Sequence, residues 1–535
     1  MEKRIPESTP VAKNAILVQD RRRALMASLS FDQMDSRQST IKSAYSTTCK
    51  WFLEHPAYLD WIEPQNLATH RGFLWLSGKP GAGKSTLMKF AHNQADKAKL
   101  GDEILVAFFF NSRGYELERS TGGMYRALLF QLLNQATDLQ EILDNLHHHD
   151  WTTDTLCKLF LAAVAKLGQR QLKCFVDALD ECDEQQIREM VVFFEELGDN
   201  ATQSGTRLYM CFASRHYPTI DIRYGRRLIL EDEHGHSADM AKYVRRHLRA
   251  GKGKAVDEVT AEIQKKANGV FLWVVLVVTI LNNEFTRGRV FAVKKRLKDI
   301  PPRLSDLFKD ILRRDEVNMT DLLLCLQWIL FAVRPLTKEE FYFAMVAGLD
   351  SGPENIGKWD PENITAEAMD RFVLSSSKGL AELTKSKKPT VQFIHESVRD
   401  YLIKDNGMSE LWLDIGSNLQ SLSHDQLKRC CQNYLQTNLS DYIPQNQPLP
   451  KATSQPGKDL RQAATSVFPF LEYASCHIWN HAEKAVSPTV SQSEFLELFS
   501  LETWIGVSNL LQQYDIRRHT PNASLLYILA ENNCP

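Results

Sequence analysis

Residues 73–86 read Phe-Leu-Trp-Leu-Ser-Gly-Lys-Pro-Gly-Ala-Gly-Lys-Ser-Thr, a short apolar run feeding straight into G-x-x-x-x-G-K-S. A glycine-rich turn between a strand and a helix curls successive backbone N–H groups around an anion, and the helix N-terminus adds its dipole. The pattern constrains this part of the chain to an α/β unit, with a strand over 73–77 and a helix over 85–98. Gly78, Lys79, Pro80, Gly81, Ala82, Gly83, Lys84, Ser85 and Thr86 form the expected phosphate cradle. Lys84 would reach the β- and γ-phosphates, and the Ser85 hydroxyl would bind Mg2+. The expected ligand is a nucleoside triphosphate or diphosphate.

The second half of such a site belongs on a later buried strand. Residues 172–177 read Leu-Lys-Cys-Phe-Val-Asp, followed by Ala178-Leu179-Asp180-Glu181. An acid at the C-terminal end of a core strand faces the crevice where α/β sheets take ligands. Asp177 is expected to hold the metal, directly or through water, and Asp180 or Glu181 to polarise a water for attack on the γ-phosphate. Further strands are expected over 104–111, 207–213 and 227–231, alternating with helices over 120–136, 155–167 and 184–197. That alternation argues for a mainly parallel sheet.

From residue 237 the pattern turns helical, with helices expected over 238–248, 256–283 and 290–297 and a boundary at Pro301-Pro302. Helices continue over 303–347, a polar loop covers 350–363, and a strand over 390–394 leads into a helix over 395–403. This order fits a winged helix-turn-helix. Residues 440–460 carry Pro444, Pro448, Pro450 and Pro456 and read as a linker before a last helical stretch. The expected divisions are a leader of little structure (1–34), a helical segment (35–72), a nucleotide domain (73–236), a helical domain (237–300), a winged-helix domain (301–405) and a helical region (406–535).

Composition excludes some partners. The 535 residues carry a net charge of −2, and the winged segment has no dense basic stripe, so no nucleic-acid partner is expected. The longest apolar run, 270–281, falls short of the roughly 20 residues a membrane span needs, and reads as a buried helix. Ten cysteines without a C-x-x-C pair point to a reducing, cytoplasmic setting with no zinc site. His147-His148-His149-Asp150, and His234 with His236, read as solvated loops; Trp273 and Trp328 read as core.

The order of these stations resembles the NACHT class of STAND nucleotidases, in the form common in filamentous fungi. The resemblance runs over residues 30–500 and rests on several segments besides the phosphate loop. Ser36–Trp51 is similar to the segment that precedes the nucleotide domain, and Phe108-Phe-Phe-Asn-Ser-Arg-Gly114 to the second strand. Ala267-Asn-Gly-Val-Phe-Leu-Trp273 is similar to the helical-domain motif, and the stretch 328–341 with Arg334-Pro335-Leu336 to the first winged-helix segment. Phe212-Ala-Ser-Arg215 resembles the sensor strand, which implies that Arg215 faces the γ-phosphate. Phe393-Ile-His395-Glu-Ser-Val-Arg-Asp-Tyr-Leu402 resembles the motif whose histidine touches the β-phosphate of ADP, which implies that His395 clamps a closed state.

The resemblance further implies a switch that is closed with ADP, opens with ATP and then self-associates, acting with effector or repeat-bearing partners in fungal non-self recognition or programmed cell death. Hydrolysis would be slow and would reset it. Phe271 stands where related animal and plant proteins have a proline near the adenine, and no N-K-x-D guanine motif is present, which favours ATP over GTP. The stretch 524–533 echoes an ankyrin consensus, a fold that needs at least three repeats, so a short or truncated family member is expected. A cycling ATPase and a nucleotide-stabilised scaffold are the competing readings.

Overall fold

Strands β1 (Phe73–Ser77), β2 (Glu103–Phe109), β3 (Gln171–Asp177), β4 (Arg207–Ser214) and β5 (Arg226–Ile229) form a sheet of order β2-β3-β4-β1-β5. Every pairing in it is parallel, as the strand–helix alternation required. Successive side chains point to opposite faces, and both faces are covered. On one face Phe73, Trp75, Val106, Phe108, Val176, Met210 and Phe212 pack with helices Thr121–Gln135, Thr153–Ala165 and Glu184–Ser204. On the other, Leu74, Leu76, Leu105, Ala107, Phe175 and Cys211 meet Leu87, Met88 and Ala91 of helix Lys84–Lys97, together with Phe52, Tyr58 and Trp61. Each fully buried large apolar side chain contributes about 1.5–3 kcal/mol, so this double coating supplies most of the sheet's stability.

The computed structural model describes residues 10–45, 47–144, 146, 151–216, 222–249, 254–286, 292–313, 318–349, 356, 358–386, 388–443, 448–532 and 534. His147, His148, His149 and Asp150, Pro444 and most of the 350–357 loop lie outside them. The chain divides into two units, Met1–Pro302 and Arg303–Pro535.

Two expectations in the first unit are corrected. The leader of little structure contains a 20-residue helix, Pro10–Leu29. Its end is held on the sheet domain by Leu25, Met26 and Leu29 in the core, and by Arg126, which donates to the carbonyls of Ser28 (2.6 Å), Leu29 (3.2 Å) and Ser30 (3.2 Å). The helical segment expected over 35–72 is made of short helices, among them Ser36–Thr40, Lys50–Glu54 and Pro56–Ile62. The single helix expected over 256–283 is two, Lys254–Ala267 and Phe271–Thr286. Asn268 (φ 46°) and Gly269 (φ 80°) take left-handed backbone and break it, and a Cβ on Gly269 would lie 2.3 Å from Glu231 Cβ.

The sheet's edges are occupied. Gln131 exchanges hydrogen bonds with both backbone groups of Ala107 (2.8 Å each), and Gln135 does the same with Leu105 (3.2 and 2.6 Å) along β2. At β5, Arg226 pairs with Asp60.

The second unit is built on helices Leu419–Leu435 and Leu471–Ala485, whose Tyr434, Tyr473 and Trp479 share one core with Trp328 and Phe470. Helices Met319–Phe331, Lys338–Leu349 and Ala366–Ser376 lead into an antiparallel hairpin, β6 (Ala381–Leu383) with β7 (Val391–Phe393). The sequence carries an expectation for the second of these strands and none for β6, Ala381-Glu382-Leu383. Helix Gln455–Val467 begins inside the stretch expected as a linker. Trp273 and Trp328 are both core, at 0% and 1% exposure. No helix among the described residues is long and apolar enough to cross a membrane.

Candidate functional site

The loop 78–83 leaves β1 at the C-terminal edge of the sheet and enters helix Lys84–Lys97. Gly81 (φ 75°) and Gly83 (φ 108°) take backbone that side-chain-bearing residues rarely adopt, which is what wraps the loop into a concave row of N–H groups. Lys84 folds over this row, its Nζ donating to the carbonyls of Gly78 (2.7 Å) and Lys79 (3.0 Å). Burial pushes its pKa down, while the Asp180 and Asp177 carboxylates act to raise it.

The acids take three different positions. Asp177 ends β3, is 1% exposed, and neither of its carboxylate oxygens has a hydrogen-bond partner. Burial pushes its pKa up to about 7, with the Ser85 hydroxyl, Arg37 and Lys84 pulling it down and Glu181 adding to the rise. Ser85 thus faces Asp177 without a hydrogen bond of normal geometry. A buried, unpartnered carboxylate beside a hydroxyl is a hard-oxygen donor set, which suits Mg2+.

Asp180 is engaged with the sensor-strand arginine: Arg215 Nε lies 2.7 Å from Oδ2 and its backbone N–H donates to Oδ1 at 2.8 Å. Burial raises the Asp180 pKa and Arg215 opposes the rise. Glu181 accepts from the Ser112 backbone N–H (3.0 Å) through Oε2, while Oε1 meets Arg37 at 3.8 Å. Of the two candidate water-polarising acids, Glu181 is therefore the less committed. Ala178, between Asp177 and Asp180, holds a left-handed φ of 61°, a strained conformation of the kind that gathers at functional sites.

Several contacts to the loop were not foreseen. Glu231 accepts from the Lys79 N–H (3.1 Å) and pairs with His216 (2.7 Å); burial pushes its pKa up, but His216 and the backbone N–H donors outweigh this and hold it low. Gly81 O accepts from Leu272 N–H (2.9 Å), and Lys79 Nζ donates to Asn268 O (3.0 Å). His236, expected in a solvated loop, is instead buried at 5% in helix His234–His247, and its Nε2 donates to Ala82 O (2.8 Å). Phe271 sits edge-on to that ring at 6.1 Å. An acid and a histidine in ordinary sequence surroundings carry no signal of these contacts; the Asn268-Gly269 break was the available clue.

His395 belongs to the second unit. It caps helix Glu396–Ile403: Nδ1 accepts from the Ser397 N–H (3.1 Å) and lies 2.9 Å from Ser397 Oγ. The first unit brings Lys84, Ser85, Asp177, Asp180, Glu181 and Arg215 to one edge of the sheet.

This combination of parallel sheet, phosphate loop and acid-bearing strand defines an α/β unit of the P-loop NTPase type. Residues 47–215 match the family of the nephrocystin 3 N-terminal region. The vegetative incompatibility protein HET-E-1 of Podospora anserina is 23% identical over 380 residues, 66% of this chain and 26% of its own. These matches support the resemblance to a fungal NACHT-type, NLR-like protein. The chain spans about a quarter (26%) of that relative's length. Among solved structures, Drosophila ORC bound to DNA is similar at TM-score 0.33 and 12% identity (75% of this chain, 96% of that one). Cdc6p from Pyrobaculum aerophilum is similar at 0.32 and 11% (70% and 97%).

Proposed function

We propose that this chain is a nucleotide-dependent signalling switch of the NLR-like type, closed with ADP and open, self-associating, with ATP. What supports the reading is one juxtaposition: a phosphate loop whose Lys84 lies inside it, facing a buried Asp177 carboxylate that has no partner of its own. In this reading the loop N–H groups and Lys84 hold the β- and γ-phosphates, and Ser85 and Asp177 hold Mg2+, which would neutralise phosphate charge. Glu181 orients the attacking water, and Arg215, set by Asp180, senses the terminal phosphate. His395 is the residue to which the family resemblance assigns the contact with ADP. A role in fungal non-self recognition or programmed cell death is what the family resemblance implies, and the likeness to a vegetative incompatibility protein is in keeping with it.

The nucleotide that survives purification is the direct test. Retained ADP supports a switch, whereas an empty site with fast turnover supports a continuously cycling ATPase. Lys84→Ala should abolish binding of labelled nucleotide with an unchanged circular dichroism spectrum, because a buried charge-assisted contact is worth about 2–5 kcal/mol. Undiminished affinity in that variant would overturn the site.

A further inference from the structure

The segment ahead of the sheet reaches into the acid cluster. Helix Ser36–Thr40 lies against the phosphate-loop helix, where Lys89 Nζ donates to the carbonyls of Gln38 (2.6 Å) and Ile41 (2.7 Å) and Gln38 meets His92 at 3.2 Å. Ser36 Oγ donates to Glu118 (2.7 Å), which also accepts from Asn111 (3.0 Å) at the exit of β2. Between these two anchors Arg37 enters the site, its side chain 14% exposed.

Its guanidinium is poorly matched to what surrounds it. Among the described residues it has one ion pair, to Glu181 Oε1 at 3.8 Å, which is too long for a hydrogen bond, and its buried Nε has no partner. Its charge is nonetheless felt by Asp177, the acid that ends β3. A buried guanidinium with five donors is costly unless an anion takes them, and its planar fork fits phosphate oxygens. Glu181 and Asp177 are the acids that flank the place of the terminal phosphate and its metal in the proposed function, on which this inference rests.

We propose that Arg37 is a terminal-phosphate ligand supplied by the segment upstream of the sheet, so that the order of residues 31–42 reports whether the nucleotide is a triphosphate or a diphosphate. With a triphosphate the fork gains the oxygens it lacks and the segment is pinned. With a diphosphate the guanidinium keeps only the loose Glu181 contact, and the segment is held by its Lys89 and Glu118 anchors alone.

Equilibrium binding of Mg-AMPPNP and Mg-ADP to the full chain, with hydrogen–deuterium exchange over 31–42, tests this. Arg37→Ala should weaken Mg-AMPPNP by at least about tenfold while leaving Mg-ADP within about threefold, and Arg37→Lys, which keeps charge but not the fork, should fall between. In the parent chain, exchange over 31–42 should be slower with Mg-AMPPNP than with Mg-ADP, and the difference should vanish in Arg37→Ala. Equal losses for both nucleotides, or none, would overturn the proposal. So would identical exchange in the parent with either nucleotide, a measurement that needs no variant to fold. Lys84→Ala run alongside separates the two ideas: if it binds nucleotide normally, the site reading fails, and if it does not while Arg37→Ala is unaffected, Arg37 alone fails.

Discussion

Asp177 holds a buried carboxyl group with no hydrogen bond of normal geometry, and burial pushes its pKa up to about 7 against an ordinary 3.8. Such a group favours folding while protonated. Its contribution is complete below about pH 4 and is lost as pH rises through about 7, each unit of that window being worth about 1.4 kcal/mol. Asp177→Asn removes the ionisation. The nucleotide-free variant should therefore melt at the parent's temperature near pH 4 and at a higher one at pH 7, while Mg2+-dependent nucleotide binding weakens. Thermal melts at both pH values, with binding measured with and without EDTA, would check it; equal melting temperatures at pH 7 would remove the claim that the carboxylate is stranded. At this scale the residues that gather at the sheet edge were largely legible. Glycines, lysine and strand-end acids announce themselves by type and spacing. Glu231 and His236 do not, because their partners are loop carbonyls and N–H groups brought near only by the fold.

Elements whose burial is periodic were legible, since strands coated on both faces appear as uninterrupted apolar runs between turn residues. Helix Pro10–Leu29 was not: its polar, arginine-rich sequence hides that Arg126, far along the chain, gathers its last carbonyls. The helix pair of the second unit hides a similar device. Tyr473 accepts from the Val333 N–H (2.9 Å) and meets His481 Nε2 at 3.0 Å, and His481 Nδ1 lies 2.8 Å from His424 Nδ1. The arrangement that satisfies every partner has Tyr473 donating to His481 and His481 donating to His424, with both rings neutral. Burial, and then Lys484, push His424 down to about 4; burial and Arg334 do the same to His477. These depressed values mean stability that is present above the ordinary 6.5 and lost as pH falls toward 4. Amide protection factors over 471–485, corrected for the intrinsic slowing of exchange in acid, should fall across that window, and His424→Asn should flatten part of the dependence. A parent profile flat between pH 6.5 and 4 would contradict the buried, neutral pair.

At the scale of the whole molecule, the proposed ADP-closed state is tested at His395. His395→Leu removes both the imidazole and a helix cap worth about 1 kcal/mol, whereas His395→Asn keeps a capping side chain. If the imidazole bridges to a phosphate, both variants should release a fluorescent ADP analogue faster in stopped flow, by about 10- to 150-fold for one charged hydrogen bond. Faster release by the leucine variant alone would assign His395 to helix capping and leave the switch without its clamp.

The glutamines along β2 have a consequence for how the molecule behaves in a crowd. Four residues of helix and two residues of strand advance the chain by nearly the same length, about 6 Å, so Gln131 and Gln135 fall in step with Ala107 and Leu105 and stand in for an absent neighbouring strand. An edge satisfied in this way offers little to a strand from another molecule, which is the usual seed of fibrous aggregation. Replacing both glutamines with leucine should leave nucleotide binding in place yet make concentrated solutions turn cloudy and bind thioflavin on standing; solutions as clear as the parent's would show that the edge needs no such guard.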